Sequence, residues 1–508
     1  MEHLSNTDAA FLHMETPETP MHVGSLMLLD VPTDYDDDYY EAVKRMIAER
    51  MHLSAVLTRK LAPMPFELAE PVWITDNDID LDYHIRSLRL RKPGSHEQLE
   101  QLVARLHSSL LDRSRPLWEM YVIEGLQSGQ IAFYTKAHHS RIDGQAGAEL
   151  ARLLYDLAPE GRVISPPVRQ RRDNGYQLGM AELLQAAVLN SARKYRTLAT
   201  LLPTATKAIG SAGKTVLSQR KLKGARSLSL GLAPRSVFND SVTNQRSYAA
   251  MHLPFEDIKR LGKQVGGTVN TVVMAMCSDA LRRYLQARDQ LPADSLIAGV
   301  PVSIRDPNDK SMNNQVSMVR VDLATDTQDF AKRFRAIHDS SEAAKAVVRE
   351  LRPVMGLDIP VFGSPWLMTS LASMYGRSRA ARRMPPIINV AISNVPGPQQ
   401  ALYIAGLRIT NFYPVSIPYH GCALNITVQS YAGNLEFGLT ACRRVVSQPE
   451  VQEMVGYLRE ALEEIEKLQP EQSEATDEPA SPAAKQAPRK PKARPRKVAA
   501  TRTLDASS

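Results

Sequence analysis

Apolar residues recur along this chain with two different spacings, which separate predicted strands from predicted helices. Alternating or short continuous apolar runs predict strands over residues 21–29, 130–137, 247–253, 296–304, 316–321, 387–392, 424–431 and 435–440. Apolar spacing of three and four residues predicts helices over residues 144–157, 269–284 and 451–465. Strands and helices interleave in both halves of the chain, and the sequence of one half does not repeat in the other. The pattern therefore predicts an α/β protein with two parts.

A pair of histidines stands at the end of one predicted strand, residues 130–137. Side chains alternate between the two faces of a strand, so His139 shares a face with Thr135 and Ala137, and His138 lies on the other face. The two imidazoles therefore have different surroundings. One can face a cavity as a general base, since neutral histidine is a good base near neutral pH, while the other holds the turn.

Asp143 lies four residues after His139 and directly before Gly144, where the predicted helix begins. Its carboxylate could cap that helix or pair with an arginine behind the site. The alternative is a surface histidine pair at a junction of strand, turn and helix. The spacing of Asp143 and Gly144 from the histidines favours a histidine pair with a general base over a surface pair.

The charge of the chain is distributed unevenly, which changes what the net charge implies. The 508 residues include 62 Lys and Arg against 55 Asp and Glu, a net charge of +7. Residues 183–239 contain ten basic and no acidic residues, and residues 470–508 add a net +3. The rest of the chain is therefore acidic, at −6. The cations that could attract an anionic partner are confined to a middle segment and a tail.

The middle segment is predicted to form a basic amphipathic helix. A helical pattern starts over residues 180–189, and Leu198, Leu201 and Leu202 continue the apolar spacing beside the cations. Such a segment is typical of binding to an anionic membrane surface, although a solvated connector between domains has the same composition. Residues 366–375, followed by four arginines, are a weaker candidate of the same kind. The Pro-, Ala-, Lys- and Arg-rich tail is predicted to be disordered.

The cysteines and the N-terminal residues indicate a cytoplasmic protein. Cys277, Cys422 and Cys442 are widely spaced and odd in number, so they form neither a disulfide framework nor a CxxC metal site. Residues 1–20 are acidic and lack the basic and apolar regions of a signal peptide. The uncharged stretch at residues 359–376 is interrupted by Pro and Gly, which argues against a spanning helix. The acidic folded part argues against nucleic-acid binding.

The pattern HHxxxDG at residues 138–144 resembles the active-site motif of the acyl-CoA-dependent acyltransferase superfamily, which includes chloramphenicol acetyltransferase-like enzymes and condensation domains. Further motifs resemble those of the bacterial wax ester synthase/diacylglycerol acyltransferase family. They lie at residues 4–12, 20–24, 116–119, 300–305, 392–398 and 424–427. The resemblance covers about residues 3–468 and rests on several motifs in order, so it is more specific than HHxxxDG alone.

The resemblance implies an α/β fold of two chloramphenicol-acetyltransferase-like domains, with mixed sheets and a channel between them. The implied N-terminal acyltransferase domain covers residues 1–165 and carries HHxxxDG, and the C-terminal acyltransferase domain covers residues 246–469. A basic, partly helical connector would occupy residues 166–245, and the disordered tail residues 470–508.

The resemblance also implies a reaction. The hydroxyl of a diacylglycerol or a fatty alcohol attacks the thioester of a long-chain acyl-CoA, giving triacylglycerol or a wax ester and free CoA. His139 would be the general base, with His138 assisting and Asp143 structural. The implied supporting residues are Gly144, Pro116, Leu117 and Trp118, and Asn270 is a candidate donor to the oxyanion. Acyl-CoA is a substrate, and neither a metal nor a cofactor is implied. The expected location is the inner face of the membrane, or a lipid droplet, where an anionic surface would hold the enzyme.

Two alternatives stay open. A condensation-like or non-catalytic protein that binds lipids or thioesters could have the same fold. Residues 208–215 match a loose phosphate-loop pattern, but they lack the preceding buried strand that a nucleotide site requires.

Overall fold

The computed structural model describes residues 2–62, 70–142, 144–166, 232–303, 316–355, 374, 378 and 380–468. Several predictions concern residues outside these ranges. They are Asp143, residues 208–215, nearly all of residues 366–375, the tail, and residues 167–231 of the connector.

The described strands form two large sheets and one small sheet. The strands are β1 (Glu2–His3), β2 (His22–Asp30), β3 (Arg59–Ala62), β4 (Val72–Thr75), β5 (Ile85–Arg89), β6 (Trp118–Glu124), β7 (Ile131–His138), β8 (Arg246–Pro254), β9 (Ile297–Ser303), β10 (Val316–Asp322), β11 (Val390–Val395), β12 (Tyr403–Ile404), β13 (Leu407–Val415), β14 (Leu424–Tyr431) and β15 (Asn434–Cys442). The α-helices are α1 (Asn6–Met14), α2 (Tyr39–Arg50), α3 (Ala55–Thr58), α4 (Leu81–His84), α5 (His96–His107), α6 (Gly144–Leu154), α7 (Phe255–Gln264), α8 (Val269–Gln286), α9 (Phe330–Met355) and α10 (Gln448–Glu466). None of these helices has the length and apolarity needed to cross a bilayer.

The first large sheet has the strand order β12-β13-β2-β7-β6-β5. Strands β2 and β6 flank β7 in antiparallel orientation, so that His22 pairs with His138 and Trp118 pairs with Ala137. Strand β5 runs parallel to β6, which makes the sheet mixed. The hairpin β12–β13 joins this sheet by pairing with β2, although it lies far along the chain. A late segment therefore completes the sheet that carries the histidine pair.

The second large sheet has the strand order β10-β9-β11-β14-β15-β8. Strand β11 runs parallel to β9 and β14, and the remaining pairs are antiparallel. Core residues of the helices α8, α9 and α10 pack with core residues of these strands, among them Met276, Ile337, Leu458, Ile426 and Phe437. Because these helices bury one face of the sheet, the other face is available to meet the first half of the chain. Strands β1, β4 and β3 form the small third sheet.

Most of the predicted elements are confirmed, but several boundaries differ by one to three residues, and contacts in the structure explain two of these differences. The helix predicted over 144–157 ends at Leu154, because the backbone of Asp156 pairs with Tyr403 at 2.9 and 2.8 Å. The Asp156 carboxylate also lies 2.8 Å from Arg50, which holds the chain out of the helix. The strand predicted over 387–392 begins at Val390, since two prolines precede it and Ile387 is exposed to solvent. The structure also contains elements that were not predicted, among them strand β6, the hairpin β12–β13 and the helix α9.

Candidate active site

The histidine pair lies where the central strand β7 ends, and the two residues bond to opposite neighbours. The backbone N–H of His138 donates to the carbonyl of Leu117 at 3.0 Å, and that of His139 donates to the carbonyl of Met21 at 2.8 Å. The His139 imidazole lines a cavity and stacks on Phe11, with ring centroids 4.1 Å apart. Thr135 and Ala137 line the same cavity, as the predicted alternation requires. His139 is thus the imidazole available to a substrate.

His138 is fully buried on the other side of the strand end. Its Nδ1 accepts the backbone N–H of Ser140 at 3.1 Å and lies 2.8 Å from the Ser140 hydroxyl. Since Nδ1 accepts a hydrogen bond from the Ser140 N–H, Nε2 carries a ring proton, and it lies 3.2 Å from the Glu15 carboxylate. Both ring nitrogens therefore have protein partners, and these contacts suit a residue that positions the turn.

Glu15 ties three parts of the site together. Its carboxylate accepts hydrogen bonds from Arg113 at 2.9 and 3.1 Å and from the backbone N–H of Met21 at 3.1 Å, and it lies beside His138. Burial on its own raises the pKa of this carboxyl. The hydrogen bond and charge of His138, the charge of Arg113 and the Met21 N–H outweigh burial and lower the pKa to about 2. Glu15 is therefore ionised at neutral pH and anchors the strand end that presents His139.

The cavity has a volume of about 580 Å³ and is formed by residues of both large sheets. The first sheet and α6 contribute mainly apolar walls, among them Val23, Trp118, Met120, Ala137, Leu150 and Leu154. The second sheet contributes several polar side chains, among them Ser393, Asn394, Asn425, Thr427 and Gln429. A cavity of this size with few convergent polar groups is typical of a site for a small, largely apolar ligand.

The predicted Pro-Leu-Trp motif supports the strand end. The buried Leu117 provides the carbonyl that accepts the His138 N–H, and Pro116 accepts the N–H of Trp118 at 2.9 Å. Trp118 lines the cavity, donates its indole N–H to the Leu57 carbonyl at 3.0 Å and stacks on His84. The motif therefore has two functions in the fold, since it fixes the edge of β7 and forms part of the cavity wall.

The remaining predicted site residues differ in their positions. Gly144 begins α6, whose later residues line the cavity, and Asp143 is outside the described residues. Asn270 is the second residue of α8, and within the described chain it is not one of the residues that line the cavity. No group of three or more His, Cys, Asp and Glu within the described ranges could hold a metal ion.

Phe11, Glu15 and Arg113 belong to the site but were not predicted. Arg113 and Glu15 are 98 residues apart, and neither stands in a motif that marks it as a partner of the histidines. Phe11 and Glu15 do lie within or close to the N-terminal segment 4–12 that was singled out by resemblance. That segment was the only sequence signal that could have pointed to them.

Solved condensation domains are similar to this chain in fold. The starter condensation domain of rhizomide synthetase matches 92% of this chain with a TM-score of 0.52 at 13% identity. The first condensation domain of the calcium-dependent antibiotic synthetase matches 92% with a TM-score of 0.54 at 15% identity. At these identities the likeness concerns the fold alone, and it confirms the predicted two-domain α/β fold with mixed sheets.

Closer matches identify the family within that fold. The wax ester synthase/diacylglycerol acyltransferase from Marinobacter aquaeolei VT8 is 33% identical, with a TM-score of 0.65 over 92% of this chain and 99% of that one. The O-acyltransferase WSD of Acinetobacter baylyi is 31% identical over 91% of this chain and 96% of its own length. A Mycobacterium tuberculosis protein named as a probable diacylglycerol O-acyltransferase is 36% identical over 92% of this chain and 99% of its own length.

Two family models cover most of the described chain. The model for the wax ester synthase/diacylglycerol acyltransferase catalytic domain matches residues 4–273, and the model for the C-terminal domain of the same family matches residues 312–466. The chain belongs to the wax ester synthase/diacylglycerol acyltransferase family. The predicted family is thereby confirmed.

Proposed function

We propose that this chain transfers a long-chain acyl group from acyl-CoA to the hydroxyl of a diacylglycerol or a fatty alcohol. The observation that carries the proposal is the position of His139, whose imidazole lines a cavity with largely apolar walls between two sheets. An apolar cavity suits an acyl chain, and the imidazole supplies the base that a hydroxyl needs. The names of the relatives support the same pair of acceptors.

His139 acts as the general base in this mechanism. A hydroxyl is too weak an acid to ionise unaided near neutral pH, so its proton must leave as the oxygen attacks the thioester carbonyl. The imidazole takes that proton and then returns it to the departing thiolate of CoA. His138, Glu15 and the Leu117 carbonyl hold the strand end, which limits the positions that the His139 ring can take.

The apolar walls also serve the chemistry by keeping water away from the acyl group. Water competes with the alcohol for the thioester, and its attack would release a free fatty acid. Trp118, Met120 and Leu154 line the cavity, and their side chains offer a bulk water molecule few hydrogen bonds. We therefore expect transfer to an alcohol to exceed hydrolysis.

The test is CoA release by the purified full chain with palmitoyl-CoA and either hexadecanol or dipalmitoylglycerol. We expect free thiol in step with a new ester, identified by chromatography of the lipid products. Thiol release that is equal without any alcohol would indicate a thioesterase. No release with either alcohol would instead favour the condensation-like or non-catalytic alternative.

We further propose that the protein works at an anionic lipid surface, on the inner face of the membrane or on a lipid droplet. The acid-free segment 183–239 supports this proposal, since its ten cations would be attracted to anionic headgroups. Exposed apolar side chains in the described part of the chain also support this proposal. Leu232, Met384 and Ile387 are exposed by 62%, 55% and 66%, which is unusual for large apolar side chains.

These three residues and the exposed arginines beside them form what we call the rim patch: Leu232, Arg235, Arg382, Arg383, Met384 and Ile387. Arg235 donates to the carbonyls of Arg382 and Met384, and the Ala233 N–H donates to the Pro386 carbonyl at 2.8 Å, which brings the two segments together. Apolar side chains among arginines suit the boundary between headgroups and acyl chains. A lipid substrate could then enter from the surface that holds the enzyme.

Removing cations from the rim patch should weaken binding to anionic vesicles in a salt-dependent way. We expect Arg382→Gln with Arg383→Gln to lower partitioning to phosphatidylglycerol vesicles on the order of tenfold at low salt, and neutralising the 183–226 cations to lower it further. Co-sedimentation with vesicles measures this. Arg45→Gln with Arg260→Gln is the matched control, because both arginines are exposed and lie outside the rim patch. Equal binding by all variants would contradict the proposal.

A further inference from the structure

Strand β14 of the second sheet presents a polar row to the cavity. Its residues Leu424, Ile426 and Val428 point into the core with the covering helices, as alternation requires. The alternate residues, Asn425, Thr427 and Gln429, line the cavity opposite the sheet that carries His139. Apolar side chains at these positions would cover the sheet equally well. The polar row therefore indicates a function other than packing.

Asn425 is held at both ends of its amide. Its Oδ1 accepts the Thr427 hydroxyl at 2.8 Å, and its Nδ2 donates to the Ile417 carbonyl at 3.3 Å. The side-chain amide is planar, so these two bonds fix its orientation and prevent a flip. The residue is only 8% exposed, and a second N–H on Nδ2 remains for a ligand in the cavity.

The strand register places this amide at the same end of the cavity as the histidine pair. Val415 pairs with Gly24, and two residues away along β2 His22 pairs with His138. Ile417, which holds Asn425, lies two residues beyond Val415 in the matching direction. His107 connects the segment after β13 to the start of β2. Its ring lies 2.8 Å from the Ser416 carbonyl, and its own carbonyl lies 2.7 Å from the His22 ring. Two strand spacings, about 10 Å, thus separate Ile417 from His138 across the first sheet.

We propose that the second amide N–H of Asn425 donates to the oxyanion of the tetrahedral intermediate, and that Thr427 is a positioning residue for that amide. This inference rests on the proposed acyl transfer. The hydroxyl oxygen bonds to the thioester carbon, its proton passes to His139, and the carbonyl π electrons move to the oxygen that faces Asn425. When the carbonyl re-forms, the C–S bond breaks, sulfur leaves with the electron pair, and His139 returns the proton to give CoA thiol. A donor fixed before the reaction stabilises the developing charge without reorganisation.

Steady-state kinetics of the full chain tests this inference. We expect Asn425→Ala to lower kcat by about 10²–10³-fold, with the KM values for acyl-CoA and alcohol nearly unchanged. Thr427→Val should lower kcat by a smaller factor, and Thr427→Ser should restore it because the hydroxyl bond to Asn425 is kept. The pH dependence of kcat should keep the wild-type midpoint in all three variants, since the base is untouched.

Asn411→Ala is the matched control, because it removes a half-buried amide that donates to Glu436 at 3.3 Å and is not among the cavity-lining residues described for this chain. Its kcat should stay close to the wild-type value. A wild-type kcat in Asn425→Ala, an equal loss in Asn411→Ala, or a shifted pH midpoint in Asn425→Ala would each overturn the inference. These outcomes presuppose CoA release by the wild-type chain, so inactivity of the wild type would instead count against the proposed function.

Discussion

His139→Ala is expected to lower kcat for CoA release by about 10²–10⁴-fold, with little change in the KM for acyl-CoA. The substitution removes the base that accepts the hydroxyl proton. It leaves the backbone N–H of residue 139, which donates to Met21 and holds the strand end. Because that backbone contact remains, the loss should be one of chemistry and not of folding.

Two further variants make this result specific. His139→Gln keeps most of the side-chain volume that packs on Phe11, and it should be as inactive as the alanine variant. His52→Ala removes a partly exposed imidazole that is not among the cavity-lining residues described for this chain, and it should retain wild-type activity. Full activity in either His139 variant would refute its role as the base.

Glu15→Gln is expected to lower the free energy of unfolding at pH 7 by about 3 kcal/mol. This loss of stability follows from the pKa of the Glu15 carboxyl, which lies at about 2 instead of its ordinary 4.5. The neutral amide keeps the shape of the side chain but removes the charge that faces Arg113 and His138. Urea unfolding followed by circular dichroism measures the change.

The stability difference between the wild type and Glu15→Gln should also depend on pH. A carboxyl whose pKa is lowered on folding contributes its full stabilisation above its unfolded pKa, near 4.5, and loses it as the pH falls toward about 2. The stability difference between the wild type and Glu15→Gln should therefore shrink between pH 5 and pH 3. A difference that stays constant over this range would contradict the ionised state of Glu15.

Glu149→Gln is the matched control for this substitution. Glu149 also pairs with an arginine, Arg152, at 2.8 Å, but both side chains are 58% exposed. Water screens such a pair, so its loss should cost no more than about 0.5 kcal/mol. Equal destabilisation by the two substitutions would show that burial and the His138 contact add nothing at Glu15.

The strand that leads into the histidine pair could be predicted because its signal is local. Alternation over residues 130–137 put His139 and His138 on opposite faces, and β7 has this arrangement. Helix α8 could be predicted for the same reason, since its apolar residues recur at helical spacing. The sheet to which β12–β13 belongs could not be predicted, because its partner β2 lies several hundred residues earlier in the chain.

The site was predictable only where its residues stand in one segment. His138, His139 and the Pro-Leu-Trp motif are each contiguous in sequence, and all of them lie at the cavity or at the strand end beside it. Asn270 was a candidate donor to the oxyanion, and it lies at the start of α8 instead of in the cavity wall. Asn425 stands in a motif that was noted, but its orientation depends on Thr427 and on Ile417 in another segment.

The sequence by itself determined the α/β class, the opposed faces of the two histidines and the uneven distribution of charge, because periodicity and composition are properties of neighbouring residues. Only the tertiary structure decided that Glu15 meets His138 and Arg113, and that a polar row on the second sheet faces His139 across one cavity. Those contacts join residues that are tens to hundreds of positions apart, and they form only when the strands are in register. The proposed base His139 can therefore be identified from the local sequence. Glu15, Arg113 and the polar row of the second sheet are brought together with it only by the packing of the strands.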